Sequence, residues 1–490
     1  MTPAPESRSG LPAWKPGTLP QPPMPRGLQW LGVVGPGVIV LGASIGSGEF
    51  LLGPAAFVKY GLTMLWVAGC AMALQTLFNV ECMRYTLATG EPVVTGFMRT
   101  KPHASFWALI YGLLYFLQVG WPAWAGTAAG AFFFLFAKRL SAAADATTVY
   151  LIGVGLFMIC VLLLLVGRRI ERTLEMLNWV LVACILTGFV VLAMRFVPAG
   201  TVWEAVAGLV GYSPSSQSFA FLPEGADFFL IGAFAGYSGG GGVINLTLTN
   251  WARDRGYGMG GVTGFIPSAI GGTKHELAHS GSVFPDTPVE MSKWRGWWRI
   301  VHADQWGVFF IGAVLGMVLP ALLYVTFLAR GTDIRGYGIA AALAQAIVGT
   351  GSPWLGGTVA LIGAWILFKT QLDIVEGMTR SLTDIVWTGS ERVRRWRGGD
   401  VRVVYYTVLA VLVVWGLVAL KLAQPVFLLQ LGANIAGVVF VIASLHLLYL
   451  NTRILPAHCR PPLWRRIGLV LVAVFYGTFV VLWLRGLVTS

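Results

Sequence analysis

Apolar residues in this chain come in long unbroken runs, separated by short stretches where arginine and lysine collect. About twenty apolar residues in helical form cross the hydrocarbon core of a bilayer, and eleven runs meet that length or come close to it: 30–57, 64–85, 106–136, 149–166, 174–196, 228–251, 308–328, 355–372, 403–420, 426–450 and 463–487. A shorter apolar stretch at 339–348 precedes the eighth and reads as an outer helix. The pattern predicts an all-α polytopic membrane protein.

Two runs are interrupted. The first contains Gly42-Ala43-Ser44-Ile45-Gly46-Ser47-Gly48-Glu49, and the sixth contains Gly236-Tyr237-Ser238-Gly239-Gly240-Gly241-Gly242. Each glycine costs a helix interior about 1 kcal/mol relative to alanine, and a carboxylate at the bilayer centre costs roughly 2.5–3.5 kcal/mol on insertion scales. Both spans are therefore expected to be broken. They stand five spans apart, an odd number, so the second copy starts from the opposite side. Glycine-interrupted spans at matching places in two halves point to an inverted repeat with a substrate site between them. On this reading residues 1–28 are a disordered cytoplasmic tail and 29–490 one transporter domain. Repeat one covers about 29–197, repeat two about 226–451, and an extra helix 463–487.

Composition agrees. The chain is 56% hydrophobic and 11% charged, with mean hydropathy +0.73, whereas a soluble domain carries about 25% charged residues. The net charge of +13 is a matter of topology. With the N-terminus inside, 26 of the 34 lysines and arginines fall on the inner side and eight outside: Lys59, Lys138, Arg139, Arg195, Arg330, Arg335, Lys421 and Arg485. That bias orients a protein in the cell membrane. The runs Gly167-Arg168-Arg169 and 392–397 also suit anionic lipid headgroups, and no nucleic-acid partner is expected. The five cysteines (Cys70, Cys82, Cys160, Cys184, Cys459) are scattered without disulfide or zinc spacing.

Two short patterns resemble enzyme motifs. Gly236-Tyr237-Ser238-Gly239-Gly240 fits G-x-S-x-G, but sits inside a membrane span rather than between a strand and a helix. His275-Glu276-Leu277-Ala278-His279 fits the zinc motif H-E-x-x-H. Glycines at 271, 272 and 281 confine that segment to barely two helical turns, so the nearby Glu290 and His302 are poorly spaced as a third ligand. A membrane-bound metallohydrolase using His275, Glu276 and His279 stays as a remote alternative, and otherwise no enzyme activity is expected.

Further motifs carry a resemblance. Gly35-Pro36-Gly37, Ile45-Gly46-Ser47-Gly48-Glu49-Phe50, Tyr60-Gly61 and Leu65-Trp66-Val67 resemble the opening of the Nramp divalent-metal transporters. Leu74-Gln75, Arg84, Thr89-Gly90, Gln371, Val375-Glu376-Gly377 and Asn451-Thr452-Arg453 continue it over most of the chain. The resemblance implies a LeuT-type fold of two inverted five-helix repeats plus an eleventh helix. It also marks departures. The family's first-span Asp-Pro-Gly-Asn, whose acid and amide hold metal, falls on Gly46 through Glu49, and its sixth-span Met-Pro-His falls on the glycine run. The thioether that favours transition metals is absent there, as it is in a magnesium-transporting branch of the family. The family's third-span acidic pair would fall near Gly120 and Ala123.

The expected function is a secondary transporter or facilitator for a divalent cation, hard and partly hydrated. The cation would be cargo, with no resident cofactor, and the chain a monomer. Glu49 is the candidate metal ligand, with Gly46, Ser47, Tyr237, Ser238 and Gly239 lining the site and Asn245 and Asn434 as further candidates. One carboxylate with several waters suits Mg²⁺. A small organic solute such as an amino acid remains the alternative, its carboxylate held by half-helix N–H groups. Topology gives the first test. Single cysteines at Lys138 and at Arg394, probed with an impermeant thiol reagent, should label from opposite sides of the membrane; labelling of both from one side would overturn the eleven-span arrangement.

Overall fold

The computed structural model describes residues 9–165, 170–267, 277–278, 280–334 and 339–489. Among these, ten helices are long and apolar enough to cross a membrane: Pro36–Tyr60, Leu62–Thr89, Ala104–Ala137, Ala143–Leu164, Arg172–Phe196, Pro288–Phe327, Pro353–Gly389, Val401–Leu422, Pro425–Ile454 and Leu463–Val488. With the sixth span between the fifth and the seventh, they are helices 1–5 and 7–11 below. The sixth span is two half-helices, each too short to cross alone: helix 6a, Phe228–Tyr237, and helix 6b, Val243–Asp254. The chain is an all-α, multi-pass membrane protein, and near its centre helix 1 packs against helices 6a and 8.

Helix 6 breaks where expected. Gly239, Gly241 and Gly242 have φ of +109°, +80° and +55°, a region that side chains with a Cβ avoid. Helix 3 also breaks, at Gly120-Trp121-Pro122, into Ala104–Val119 and Ala123–Ala137. Proline lacks the N–H that would continue the ladder. Gln371 of helix 8 caps the restarted helix, accepting from the Ala125 N–H at 3.0 Å.

Helix 1 does not break, contrary to the sequence expectation. It runs as α-helix over Pro36–Ser44, as a wide π-type helix over Ile45–Leu52, and as α-helix again over Gly53–Tyr60. Widening the turn keeps each N–H bonded to a carbonyl five residues back, so the glycines leave no backbone orphaned. Their purpose is close approach. A Cβ on Gly46 would collide with Thr370 of helix 8, and one on Gly48 with the Tyr237 carbonyl of helix 6a.

Two helices outrun their apolar stretches. Helix 8 continues to Gly389, beyond the expected end at 372, and helix 7 begins at Pro288, ahead of 308. Asp373, Glu376, Arg380 and Asp384 look like the end of a span but are buried. Arg380 pairs with Glu376 at 2.5 Å and with Asp254 of helix 6b, while Asp384 accepts from Arg253 and Asn250 at 2.6 Å each. Paired charges lose the cost that isolated buried ones carry. Lys369, counted above with the inner-side charges, is likewise buried within helix 8.

The N-terminal segment differs from the expected disordered tail. From Ser9 onward it crosses one end of the bundle, and Leu11 and Leu19 are buried. Lys15–Pro16 pairs in parallel with Ser282–Val283, the Leu19 N–H reaches Glu290 at 2.6 Å, and Trp297 donates to the Pro20 carbonyl at 2.9 Å. The hub is Glu91, between helices 2 and 3. It pairs with Arg99 and accepts from Trp14 at 3.1 Å, Tyr85 at 2.6 Å and the Gly281 N–H at 2.7 Å.

Burial pushes the Glu91 carboxyl up, but the Arg99 charge and these donors outweigh it and hold the group below the usual 4.5. A lowered folded-state pKa means the stabilisation is complete above the unfolded value and fades as pH falls through the folded one. Stability of the purified protein should thus fall with acid below pH 4.5. Glu91→Gln should cost on the order of 3 kcal/mol at neutral pH, since Arg99 stays buried and unpaired, and should flatten the acid limb. Thermal midpoints across pH for both proteins test this.

Candidate functional site

The Glu49 side chain sits where the widened turn of helix 1 meets the end of helix 6a. It is fully buried, and its Oε1 accepts from the Gly239 N–H at 3.1 Å. Its Oε2 has no protein partner. On the other side stands Gly316 of helix 7, where an added Cβ would lie 3.7 Å from the Glu49 Cγ. Gly48, one residue back, lets the Tyr237 carbonyl approach helix 1. Glu49, Gly48, Tyr237 and Gly239 therefore form one constellation, closed to solvent in this conformation.

The other sequence candidates divide. Ser47 and Ser238 are buried beside this point, but their hydroxyls donate to the Ala43 carbonyl at 3.2 Å and the Phe234 carbonyl at 2.7 Å within their own helices. Gly46 turns toward Thr370 of helix 8 rather than toward helix 6. Asn434 stands apart from this point. Its amide donates to the Phe229 and Gln430 carbonyls at 2.9 Å each, fastening helix 10 to the start of helix 6a, two turns before the break. Asn245 lies near the start of helix 6b and donates to Gln75 at 3.2 Å and Asn79 at 2.8 Å. His275, Glu276 and His279 lie outside the described residues.

Two residues that the sequence reading did not place in the site turn out to build it. Gln75 of helix 2 donates to the Ser238 carbonyl at 2.8 Å and accepts from the Gly241 N–H at 3.2 Å. Gln118 of helix 3 donates to the Gly241 carbonyl at 2.8 Å and accepts from the Val243 N–H at 3.0 Å. The glycine run's backbone, which would otherwise need water or ligand in the membrane interior, is thus held by two glutamine side chains. The available signal was a polar amide in each of two apolar runs. From Gln75 a line of buried amides leads to one end of the bundle. Asn245 donates to Asn79, Asn79 to Gln305 at 2.9 Å, and Gln305 to Asp304 at 2.8 Å. Asp304 in turn accepts from the N–H groups of Gly35 at 2.9 Å and Gly37 at 2.8 Å, capping helix 1.

Among the described residues no group of three or more His, Cys, Asp or Glu side chains is placed to hold a metal ion. A cation at Glu49 would therefore complete its shell from backbone carbonyls and water, a hard-cation set of oxygen ligands.

A mutant of the manganese transporter of Eremococcus coleocola aligns over 94% of this chain and 88% of its own, with TM-score 0.63 and 14% identity. The same transporter bound to an aromatic bis-isothiourea-substituted compound gives 0.58 and 15% over the same shares. The chain shares that transporter's fold. Mhp1, a nucleobase-cation-symport-1 family transporter, is more distant, at TM-score 0.48 and 12% identity over 93% of this chain and 92% of that one. No family model and no curated protein sequence matches the chain.

Gln75→Leu should leave the Ser238 carbonyl and the Gly241 N–H unsatisfied in a dry interior, at about 1–3 kcal/mol for each group. A thermal midpoint lowered well beyond that of a Leu74→Ala control would bear this out; an unchanged midpoint would show that the glycine run is held by other means.

Proposed function

We propose that this chain is a secondary transporter or facilitator of a divalent metal cation in the cell membrane. It has its N-terminus on the cytoplasmic side, works as a monomer, and binds its cargo at Glu49 between helices 1 and 6. The observation that carries the proposal is the surroundings of Glu49: a fully buried carboxylate with the Gly239 N–H on Oε1, the Ser44 hydroxyl close by, no cation beside it and no hydrogen-bond partner on Oε2. Buried charges are paired or coordinate metals, so a carboxylate left half-satisfied beside a broken helix is ready for a cation. The fold shared with a manganese transporter supports the same reading, as do the inverted repeat and Nramp-like motifs read in the sequence. The oxygen-only surroundings favour a hard, partly hydrated ion such as Mg²⁺ or Mn²⁺.

The rival cargo, a small organic solute with a carboxylate, would need the N–H groups at the start of helix 6b. There Val243 is bonded to Gln118, Ile244 to the Gly241 carbonyl and Asn245 to the Gly242 carbonyl, while in the break Gly239 and Gly241 are bonded to Glu49 and Gln75, and Glu49 would repel the anion. A serine-hydrolase reading of Gly236-Tyr237-Ser238-Gly239-Gly240 has no support, since the Ser238 hydroxyl donates to a backbone carbonyl of its own helix.

Calorimetry on wild type and Glu49→Gln with Mg²⁺, Mn²⁺ and several amino acids tests the proposal. Removing a charge-assisted contact costs about 1.5–3 kcal/mol, so Glu49→Gln should weaken cation binding more than tenfold, and Glu49→Asp less. No heat from any divalent cation up to several millimolar would end the metal reading. Amino-acid binding that survives or strengthens in Glu49→Gln would establish the rival.

A further inference from the structure

A second ionisable centre touches helix 1, and cation binding at Glu49 does not use it. On helix 8, Lys369 pairs with Asp373 one turn along, and the two side chains are 3% and 0% exposed. Helix 5 contributes Asn178, whose amide donates to Asp373 at 3.1 Å. The Lys369 Nζ and the Asn178 Oδ1 occupy the space that a Cβ at Gly42 would need, so glycine there admits the ammonium to the helix 1 backbone. Next to it, Thr370 donates to the Gly42 carbonyl at 3.2 Å. An ionisable pair inside a membrane is expensive, and such groups mark proton or ion pathways.

We propose that Lys369 and Asp373 form a proton-binding site that controls the contact between helices 1 and 8, and so couples proton movement to opening of the transporter. The Nζ proton is the one exchanged. In the described conformation the pair is ammonium and carboxylate, net zero. On release, Nζ keeps its electron pair, the proton passes to water, and Asp373 remains a carboxylate held by Asn178, net −1. Burial at the contact of helices 1 and 8 works against the ammonium, and water restores it once helix 1 moves off helix 8, so holding the proton favours the opened state and losing it the closed one.

The nearest ionisable group toward the end of helix 5 has exposed partners. Glu175 on helix 5 lies one turn from Asn178 beside Gly35, and meets Arg172 at 2.7 Å and Arg255 at 3.4 Å, with those arginines 54% and 22% exposed. The other ionisable groups on the elements packed around the pair are accounted for. Cys160 on helix 4 donates to the Phe368 carbonyl at 3.5 Å. Glu376 and Arg380, further along helix 8, pair with each other and with helix 6b. Tyr405 on helix 9 is buried beside Glu376 and Arg380. On helix 7, Asp304 caps the start of helix 1. Glu49, two turns along helix 1, is the one group able to mimic the effect, and the test separates it.

Spin labels at the exposed positions Leu31 and Val386, near the ends of helices 1 and 8, report that contact by pulsed electron–electron distance measurement. The five native cysteines are replaced first. In proteoliposomes without any substrate, a longer distance should gain on the shorter one as pH falls from about 10 to about 5, by up to about tenfold per unit between the transitions of the closed and opened states for one linked proton. The neutral pair Lys369→Met with Asp373→Asn should give a distribution independent of pH, whereas Glu49→Gln should keep the wild-type dependence. A wild-type distribution that does not change with pH overturns the proposal, and so does a dependence that survives in the double variant. Its loss in Glu49→Gln overturns it too, by assigning the proton to Glu49. Although the use of the site rests on the transporter reading, this measurement needs no cation, so its failure is distinct from failure of the metal reading.

Discussion

A helix that breaks inside a membrane must find partners for its freed N–H and C=O groups from within the protein, because the hydrocarbon offers none. That requirement shapes the centre of this molecule. The break after Tyr237 is bridged from two sides by Gln75 and Gln118, amides that both donate and accept. Once these carry most of the run, Glu49 receives a single backbone N–H, from Gly239. The same solution recurs at helix 3, where Gln371 caps the restart after Pro122. Three glutamines in apolar spans thus do what water does at the break of a soluble helix.

The glycines of helices 1 and 6 answer different constraints. Those of helix 6 supply positive φ at a sharp turn. Those of helix 1 stay helical and remove side chains, so that helix 8 approaches at Gly42 and Gly46 and helix 6a at Gly48. Small residues let helix backbones approach closely in membranes, and here the approach admits groups with chemistry: an ammonium at Gly42 and a carbonyl at Gly48. Helix 1 is consequently the element on which both ionisable centres converge.

Much of this was legible in the residues. Apolar run lengths gave the spans, and the clustering of Gly236 through Gly242 gave the break in helix 6. Glu49, as a lone carboxylate in an apolar run, gave the candidate site. The unbroken course of helix 1 was not legible, because glycine and serine composition does not distinguish an unwound segment from a widened turn that keeps its hydrogen bonds. Lys369 and the charges of helix 8 were misplaced at a span's end because hydropathy counts charges singly, while burial depends on pairing. The ordered N-terminal segment was missed for a related reason. Its few anchors, Leu11, Trp14 and Leu19, are held by residues of helices 2 and 7 and of the loop before helix 7, which no local pattern reveals.

Asp304, Asp373 and Glu49 are buried carboxylates at or near helix 1, and the donors around each distinguish their roles. Asp304 accepts from two backbone N–H groups and from Gln305, at the positive end of the helix dipole, so its charge is met by fixed donors. Such a group is structural, since nothing mobile is needed to stabilise it. Asp373 is met by one amide and one ammonium, and the ammonium can leave as an amine, so its neutralisation is conditional on a proton. Glu49 meets the Gly239 N–H and the neighbouring Ser44 hydroxyl, with no cation beside it and no partner on Oε2, so in the proposed reading its charge is completed by an arriving cation. Fixed, protonic and exchangeable compensation thus lie along a single helix, in that order from its N-terminus. A change at the middle centre alters how helix 1 sits on helix 8, and helix 1 carries Glu49. Occupancy of the last centre and protonation of the middle one are therefore mechanically linked, although no hydrogen bond joins them directly.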